Sequence, residues 1–320
     1  MTTSLVSVIV PAYNCALYLA EALDSALDQD YAAKEVIVVD DGSVDDTPKI
    51  IERYGSRVVA LRQKNSGSAA ARNAGMRHAR GEYFAFLDAD DLWLPGKLSA
   101  QVRYLDRHAS VGMVYSNWGV WHPSEGGRFE TASVNGGVGA AHGGDDDLIE
   151  PRVSGWLYNE LLLDCVVHTS AAMLRRSVAE AVGEFRAQFK RGQDYDYWLR
   201  VSRLTEIHKL ARVLSLYRMH EESISYRVHP VNYGFEVIRT AVGQHGVVGP
   251  DGKRTPERII ARRLSDLCFR FAYHHLRYGD PGTARTSFAK SLRYFPWRPK
   301  GWLFWAEAAV RSVRPRAATG

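Results

Sequence analysis

YFAFLDADDLWLPGKL, residues 83–98, sets an apolar run against three acids and then a proline. Tyr83-Phe84-Ala85-Phe86-Leu87 has the composition of a buried strand, and Asp88, Asp90 and Asp91 follow at its end. Like charges so close repel, and carboxylates at the rim of a core call for a cation. Asp88 and Asp90 are separated by one residue, so on an extended backbone both side chains leave the same side, and a turn at Asp91 adds a third oxygen donor. Such oxygens suit a hard divalent ion, Mn2+ or Mg2+, which keeps positions open for phosphate. The plainer alternative is an acidic cap for the helix that restarts after Pro95, and a cap needs one acid rather than three.

Working outward, β-branched apolar runs recur at 7–10, 36–39, 58–61 and 83–87, each followed by a polar turn and a stretch with helical spacing. This βαβ rhythm predicts an α/β fold with a mostly parallel central sheet covered by helices. Asn14 is expected to cap a helix whose Leu17, Ala20, Leu23 and Leu27 share one stripe. Asp46 or Thr47 starts the next helix with Pro48 in its first turn, and 65–67 leads into a third over 68–79. A helix over 98–108 and a strand over 112–121 follow. The Gly-rich stretch 126–147 predicts a flexible loop over about 122–150, either a closing flap or a plain insertion. Further helices are expected over 177–182 and around 195–204. From Arg258 onward two or three amphipathic helices are broken at 278–282, like one tetratricopeptide hairpin.

A chain of 320 residues with 46% hydrophobic and 24% charged content has a core to bury and is not a disordered segment. Cys15, Cys165 and Cys268 are far apart and follow no disulfide or zinc spacing, which points to a reducing, cytoplasmic compartment. The opening MTTSLVSVIVP lacks a basic leader, and its apolar stretch is too short to span a bilayer. Residues 251–320 hold 15 Lys and Arg against 5 Asp and Glu, leaving 26 against 31 for the remainder. In that basic segment arginines alternate with Trp297, Trp302, Phe304 and Trp305. This suits either peripheral contact with the inner face of a membrane or a solvated helical face, and suits nucleic acid less.

Asp40-Asp41 ends the second strand at the same sheet edge, where open parallel sheets bind ligands, and a carboxylate there can accept from a base N–H or a ribose hydroxyl. Gly42 allows the sharp turn that follows. Small residues from Ser66 to Ala71 allow close approach, and Arg72 one turn later can pair with the acids or with phosphate. Trp118, Trp121, Trp156 and Tyr158 are either core or stacking faces for a sugar ring.

The set 7–14 (SVIVPAYN), 39–43 (VDDGS), 71–75 (ARNAG) and 87–91 (LDADD), in this order and spacing, resembles the family-2 inverting glycosyltransferases with the GT-A fold. The likeness covers about residues 5–225. It implies a Rossmann-like domain binding a nucleotide-diphosphate sugar (UDP-, dTDP- or GDP-linked), with Pro11, Ala12, Tyr13 and Asp40 at base and ribose. Asp88 and Asp90 would then serve the ribose and the metal-bound diphosphate. Residues 183–185 (GEF) and 192–200 (GQDYDYWLR) are similar to the family's base-bearing segment, which makes Asp194 the catalytic base; Gln193 stands where the family usually has Glu. Residues 217–223 (YRMHEES) resemble its C-terminal histidine motif, which adds His220 to the metal or diphosphate site.

The implied reaction is transfer to an acceptor hydroxyl with inversion, the acceptor being a glycan, a lipid-linked glycan or a small molecule. Rivals are a non-catalytic sugar-nucleotide or glycan-binding module and, less well matched, a phosphatase. The phosphatase would want its nucleophile early in the chain and Thr or Val where Leu92 stands. No Gly-x-Gly-x-x-Gly follows the first strand, which disfavours a dehydrogenase. The expected division is a catalytic domain over 1–225 and a helical basic region over 226–320.

Overall fold

The computed structural model describes residues 4–122, 148–220 and 228–313; the expected flexible loop therefore falls almost wholly outside the described residues. The chain divides into two units, residues 1–221 and 222–320.

In the first unit, strands β1 (Val6–Ala12), β2 (Lys34–Asp40), β3 (Val59–Arg62), β4 (Tyr83–Phe86), β5 (Leu92–Trp93), β6 (Val111–Trp121), β7 (Ala172–Arg175) and β8 (Glu206–Arg218) make one sheet. Its order is β3-β2-β1-β4-β7-β6-β8-β5. The first four strands are parallel, with Val8 opposite Val36 on one side and Ala85 on the other. The βαβ rhythm extends no further: β7 runs antiparallel to both β4 and β6, and β5 antiparallel to β8, so the sheet is mixed. Its parallel half carries valine and isoleucine on both faces because helices cover both.

Helices α1 (Leu19–Leu27), α2 (Thr47–Tyr54), α3 (Ser68–His78) and α4 (Lys97–Arg107) follow strands as expected. The α1 stripe is shifted from the predicted one. Leu19, Ala22, Leu23 and Ala26 are buried, whereas Leu17 is 76% exposed. The cause is Asn14, which occupies a left-handed turn at φ 47° instead of capping, so the helix begins later. Leu19 and Leu23 pack with Val8, Val10, Val36 and Val38 and with Leu98 and Leu105 of α4 in one cluster. Each large side chain so buried contributes about 1.5–3 kcal/mol. On α3 the small residues have a packing reason: a Cβ at Gly75 would lie 2.6 Å from Ile9 Cγ2, so any larger residue pushes the helix off the sheet. Helices α5 (Tyr158–Leu163), α6 (Arg176–Val182) and α7 (Gln193–Val201) complete the unit.

In the second unit α8 (Tyr233–His245) precedes α9 (Glu257–Tyr278), α10 (Pro281–Tyr294) and α11 (Pro299–Val313). The last three close around Ala272, Leu276, Ala284, Phe288 and Ala308. Asp280 caps α10 by accepting from the Thr283 amide at 2.6 Å, and Pro281 fits its first turn. None of the described helices is long and apolar enough to cross a membrane.

Candidate active site

Three loops at the carboxyl ends of β1, β2 and β3 are sewn together. The Asn14 amide donates to Ser43 Oγ at 3.0 Å, and Asn14 Oδ1 accepts from the Val44 amide at 2.9 Å. Cys15 N–H donates to Thr47 Oγ1 and Ala16 N–H to Asp45 Oδ2. Gly42 turns at φ +78°, and a Cβ there would meet the Asn65 amide nitrogen at 2.8 Å, so backbone must pass where any other residue carries a side chain. Pro11 and Ala12 end β1 at this edge, and the Tyr13 ring is half exposed beside them.

Asp40 and Asp41, both candidates for the base and ribose, take different partners at the turn. Both are buried. Asp41 spends its oxygens on the β3–α3 loop, accepting from Gln63 Nε2 at 2.7 Å and from the Ser66 and Gly67 amides at 2.9 and 2.7 Å. It holds the loop instead of presenting itself to a ligand. Asp40 Oδ1 accepts from the Ser43 amide at 2.8 Å, while Oδ2 lies 3.3 Å from Arg62 Nε and accepts no hydrogen bond among the described residues. A buried carboxylate oxygen met only by the exposed Arg62 guanidinium among the described residues has acceptor capacity left for a base N–H or a ribose hydroxyl.

The acids after β4 do not form the expected shelf of three. Asp91 closes a turn, its amide donating to the Asp88 carbonyl at 3.0 Å, and its side chain goes inward. It is bonded there by Ser170 Oγ and by the Arg218 amide at 3.1 Å. Burial, and then the Asp90 and Asp88 charges, hold the Asp91 carboxyl well above its ordinary value despite those two donors. Asp88 is ion-paired with Arg72, and Asp90 Oδ2 lies 3.1 Å from His220 Nε2. Ser170 Oγ also accepts from the Asp88 amide at 3.1 Å, and Arg218 Nε donates to the Asp90 carbonyl at 2.8 Å. The turn is thus fixed from beneath by Ser170 and from the side by Arg218.

Asp194 sits in the first turn of α7, whose cap is Gly192 in the left-handed region, so it does not cap the helix. Its Oδ2 accepts from Thr169 Oγ1 at 3.1 Å and its Oδ1 from the Tyr195 amide at 2.9 Å. Asp196, by contrast, is buried against Arg186 and Arg200 and belongs to the scaffold. Gln193 Nε2 donates to Ser68 Oγ at 2.7 Å and joins the starts of α7 and α3. Arg72 ties the group together electrostatically. Burial alone would lower its guanidinium, but the carboxylates of Asp88, Asp194 and Asp90 outweigh burial and raise it. Its Nε and one terminal nitrogen have no hydrogen-bond partner among the described residues. His168 feels the same three carboxylates; burial nevertheless lowers it, and its ring is stacked on Trp118 at 5.4 Å. Trp121 and Tyr158 are core residues, Trp121 lying under Arg218.

Among the described residues no set of three His, Cys, Asp or Glu side chains has the geometry of a metal site, so Asp88, Asp90 and His220 are not brought to one point. Asp90 with His220 does offer an oxygen and a nitrogen donor, a pair that fits Mn2+ or Mg2+ when substrate oxygens complete the shell. A separate cleft of about 630 Å3 is lined by Lys64, Asn73, Arg77, Glu184 and Arg186, without the site carboxylates. Thr169, Ser170 and Arg218 had no role in the sequence reading. The polar triplet 168–170 directly ahead of the apolar AAML of β7 was the available signal for the first two.

The model of the family described as glycosyl transferase family 2 matches residues 7–183. The UDP-Glc:alpha-D-GlcNAc-diphosphoundecaprenol beta-1,3-glucosyltransferase WfaP of Escherichia coli is 31% identical over 259 residues, 80% of this chain and 90% of that protein. An uncharacterised glycosyltransferase of Rickettsia prowazekii (strain Madrid E) is 30% identical over 241 residues, 75% of this chain and 68% of its own length. In fold, the chain is similar to S. aureus TarS 1–349 in complex with UDP, with a TM-score of 0.60 at 19% identity, covering 96% of this chain and 89% of that one. It is also similar to the mannosyltransferase PcManGT of Pyrobaculum calidifontis in complex with GDP-Man and Mn2+, with a TM-score of 0.57 at 20% identity, covering 99% and 89%.

Proposed function

The chain belongs to glycosyl transferase family 2, and from that premise we propose that it moves a hexose, with inversion, from a nucleotide-diphosphate sugar to a hydroxyl of a lipid-linked glycan in surface-polysaccharide assembly. The observation that carries the reading is the ion pair of Asp88 with the buried guanidinium of Arg72, whose charge Asp194 and Asp90, from two distant parts of the sequence, also support. A cation that supports three carboxylates and has N–H groups without a hydrogen-bond partner among the described residues suits a substrate bearing both phosphates and a hydroxyl to be deprotonated.

In this reading Asp40 Oδ2 accepts from the base or ribose, with Pro11, Ala12 and the exposed Tyr13 ring as walls. Asp88, partly open to solvent, takes a ribose hydroxyl, and the buried charge of Arg72 draws the phosphates toward it. A divalent ion held by Asp90 and His220, when bound, supplies Lewis-acid stabilisation of the charge that develops on the leaving diphosphate. Asp194 removes the proton of the attacking hydroxyl, and Thr169 fixes the orientation of its carboxylate. One base and a single displacement invert the anomeric centre. The lipid-linked acceptor and a uridine donor are suggested by the name of the E. coli relative.

The deciding experiment measures nucleotide-sugar binding and transfer to a diphosphopolyprenol-linked sugar in Mn2+ or Mg2+, for the parent and for Asp194→Asn. Binding kept with transfer reduced about 100- to 10,000-fold is expected. Undiminished transfer by the variant overturns the base assignment, and absence of donor binding in the parent overturns the function.

A further inference from the structure

Helix α11 turns one face inward and leaves the other without a partner among the described residues. Gly301 and Ala308 are buried, and Phe304 and Trp305 pack on the cluster formed by Phe288 and Ala272. On the opposite side, Pro299, Trp302, Leu303, Ala306, Val310 and Val313 fall within an arc of about 100° at 3.6 residues per turn, and all six are exposed. Trp302 is 53% exposed, Leu303 64%, Val310 57% and Val313 78%, and Trp297 just ahead of the helix is 83% exposed. A helix face turned to water normally carries charge; this one carries none over its whole length.

We propose that this face of α11 lies in the interfacial zone of an anionic lipid leaflet. Lys300 and Arg311 flank the arc, and Glu307, the one acid on the helix, is neutralised by Arg311 at 2.7 Å. The excess of 15 Lys and Arg over 5 Asp and Glu in residues 251–320 gives the segment the sign that an anionic surface attracts. Trp297 and Trp302 are amphipathic: the Trp302 indole N–H donates to the Pro296 carbonyl at 2.9 Å while the ring faces outward. Indoles of this kind favour the headgroup boundary. A second copy of the chain would be the competing occupant, but the cationic flank repels its own like.

Flotation of the full chain with phosphatidylcholine vesicles, and with vesicles of equal parts phosphatidylcholine and phosphatidylglycerol, tests this without any sugar donor. Binding to the anionic vesicles alone is expected, with a blue shift of tryptophan emission. The double substitution Leu303→Ser with Val310→Ser, on exposed positions, should weaken it about tenfold or more. Circular dichroism checks that the variant is folded, and Lys300→Glu provides a second variant that should also weaken binding. No flotation with either vesicle, equal flotation with both, or unchanged binding by the double variant overturns the proposal. So does a concentration-dependent dimer in sedimentation that the same substitutions abolish.

Discussion

Arg72 meets the Asp88 carboxylate from inside the protein, its own side chain almost fully buried and the aspartate 31% exposed. The cation is part of the interior, and the acid is its outlet to the surface. Arg72→Met leaves Asp88, Asp90 and Asp194 without their internal counter-charge. A cost of about 2–3 kcal/mol is expected, below that of a fully buried pair because water reaches Asp88. Urea unfolding measures it. Donor affinity should fall too, and Arg72→Lys should recover stability better than affinity, because lysine restores charge without the second donor.

Thr169 acts through another residue. Its hydroxyl fixes one oxygen of Asp194, and loss of one such bond is worth about 1 kcal/mol, or several-fold in rate. Thr169→Val should therefore lower kcat about three- to tenfold with donor affinity unchanged, and Thr169→Ser should restore it. Equal loss in both variants would point to packing instead.

Lys97 is buried beneath the site with no acid partner among the described residues, its ammonium over the Trp93 ring and its Nζ donating to Gln101 at 2.7 Å. Burial lowers it well below the ordinary lysine value. In the window between the folded and ordinary values the unfolded chain binds more protons than the folded one, so stability rises with pH through that window. Lys97→Met should abolish the rise and stabilise the protein most at the acid side of the window. Unfolding free energies at a series of pH values read this directly, and parallel curves for the two proteins would refute it.

The three cysteines are all thiols, and they differ in reach. Burial pushes Cys15 up to about 12, against bonds from Thr47 and the backbone that lower it, and burial pushes Cys268 up to about 12 as well. Cys165 is exposed. Thiol titration near pH 8 should find one fast group, and mass spectrometry should place it at Cys165. Rapid labelling of Cys15 would mean that the β1–α1 turn opens.

Much of the parallel half is legible in sequence because each strand ends in its own chemistry: Asp40 after β2, and Asp88 and Asp90 after β4. Local pattern does not say what each acid of a pair bonds to. Asp40 and Asp41 are both buried, but Asp41 gives both oxygens to the β3–α3 loop, and Asp91 is drawn inward by Ser170 and the Arg218 amide. The antiparallel half is less legible. The first half of β8 carries Glu206, His208, Lys209 and Arg212 at half-buried positions among its aliphatics, which hides it from a search for apolar runs. Thr169, Ser170 and Arg218 act across 25, 79 and 128 residues respectively, distances at which spacing carries no information.

Arg218 is nearly the last residue of its unit, and it clamps the acid turn by bonds to the Asp90 carbonyl and from its own amide to Asp91. During synthesis, β1 to β4 emerge long before it. The early chain can build the edge that carries Asp40, but the turn from Asp88 to Asp91 stays unset until the end of β8 arrives and brings His220 with it. A chain broken between β4 and residue 218 therefore keeps the strands of that edge and lacks the bonds that set the turn.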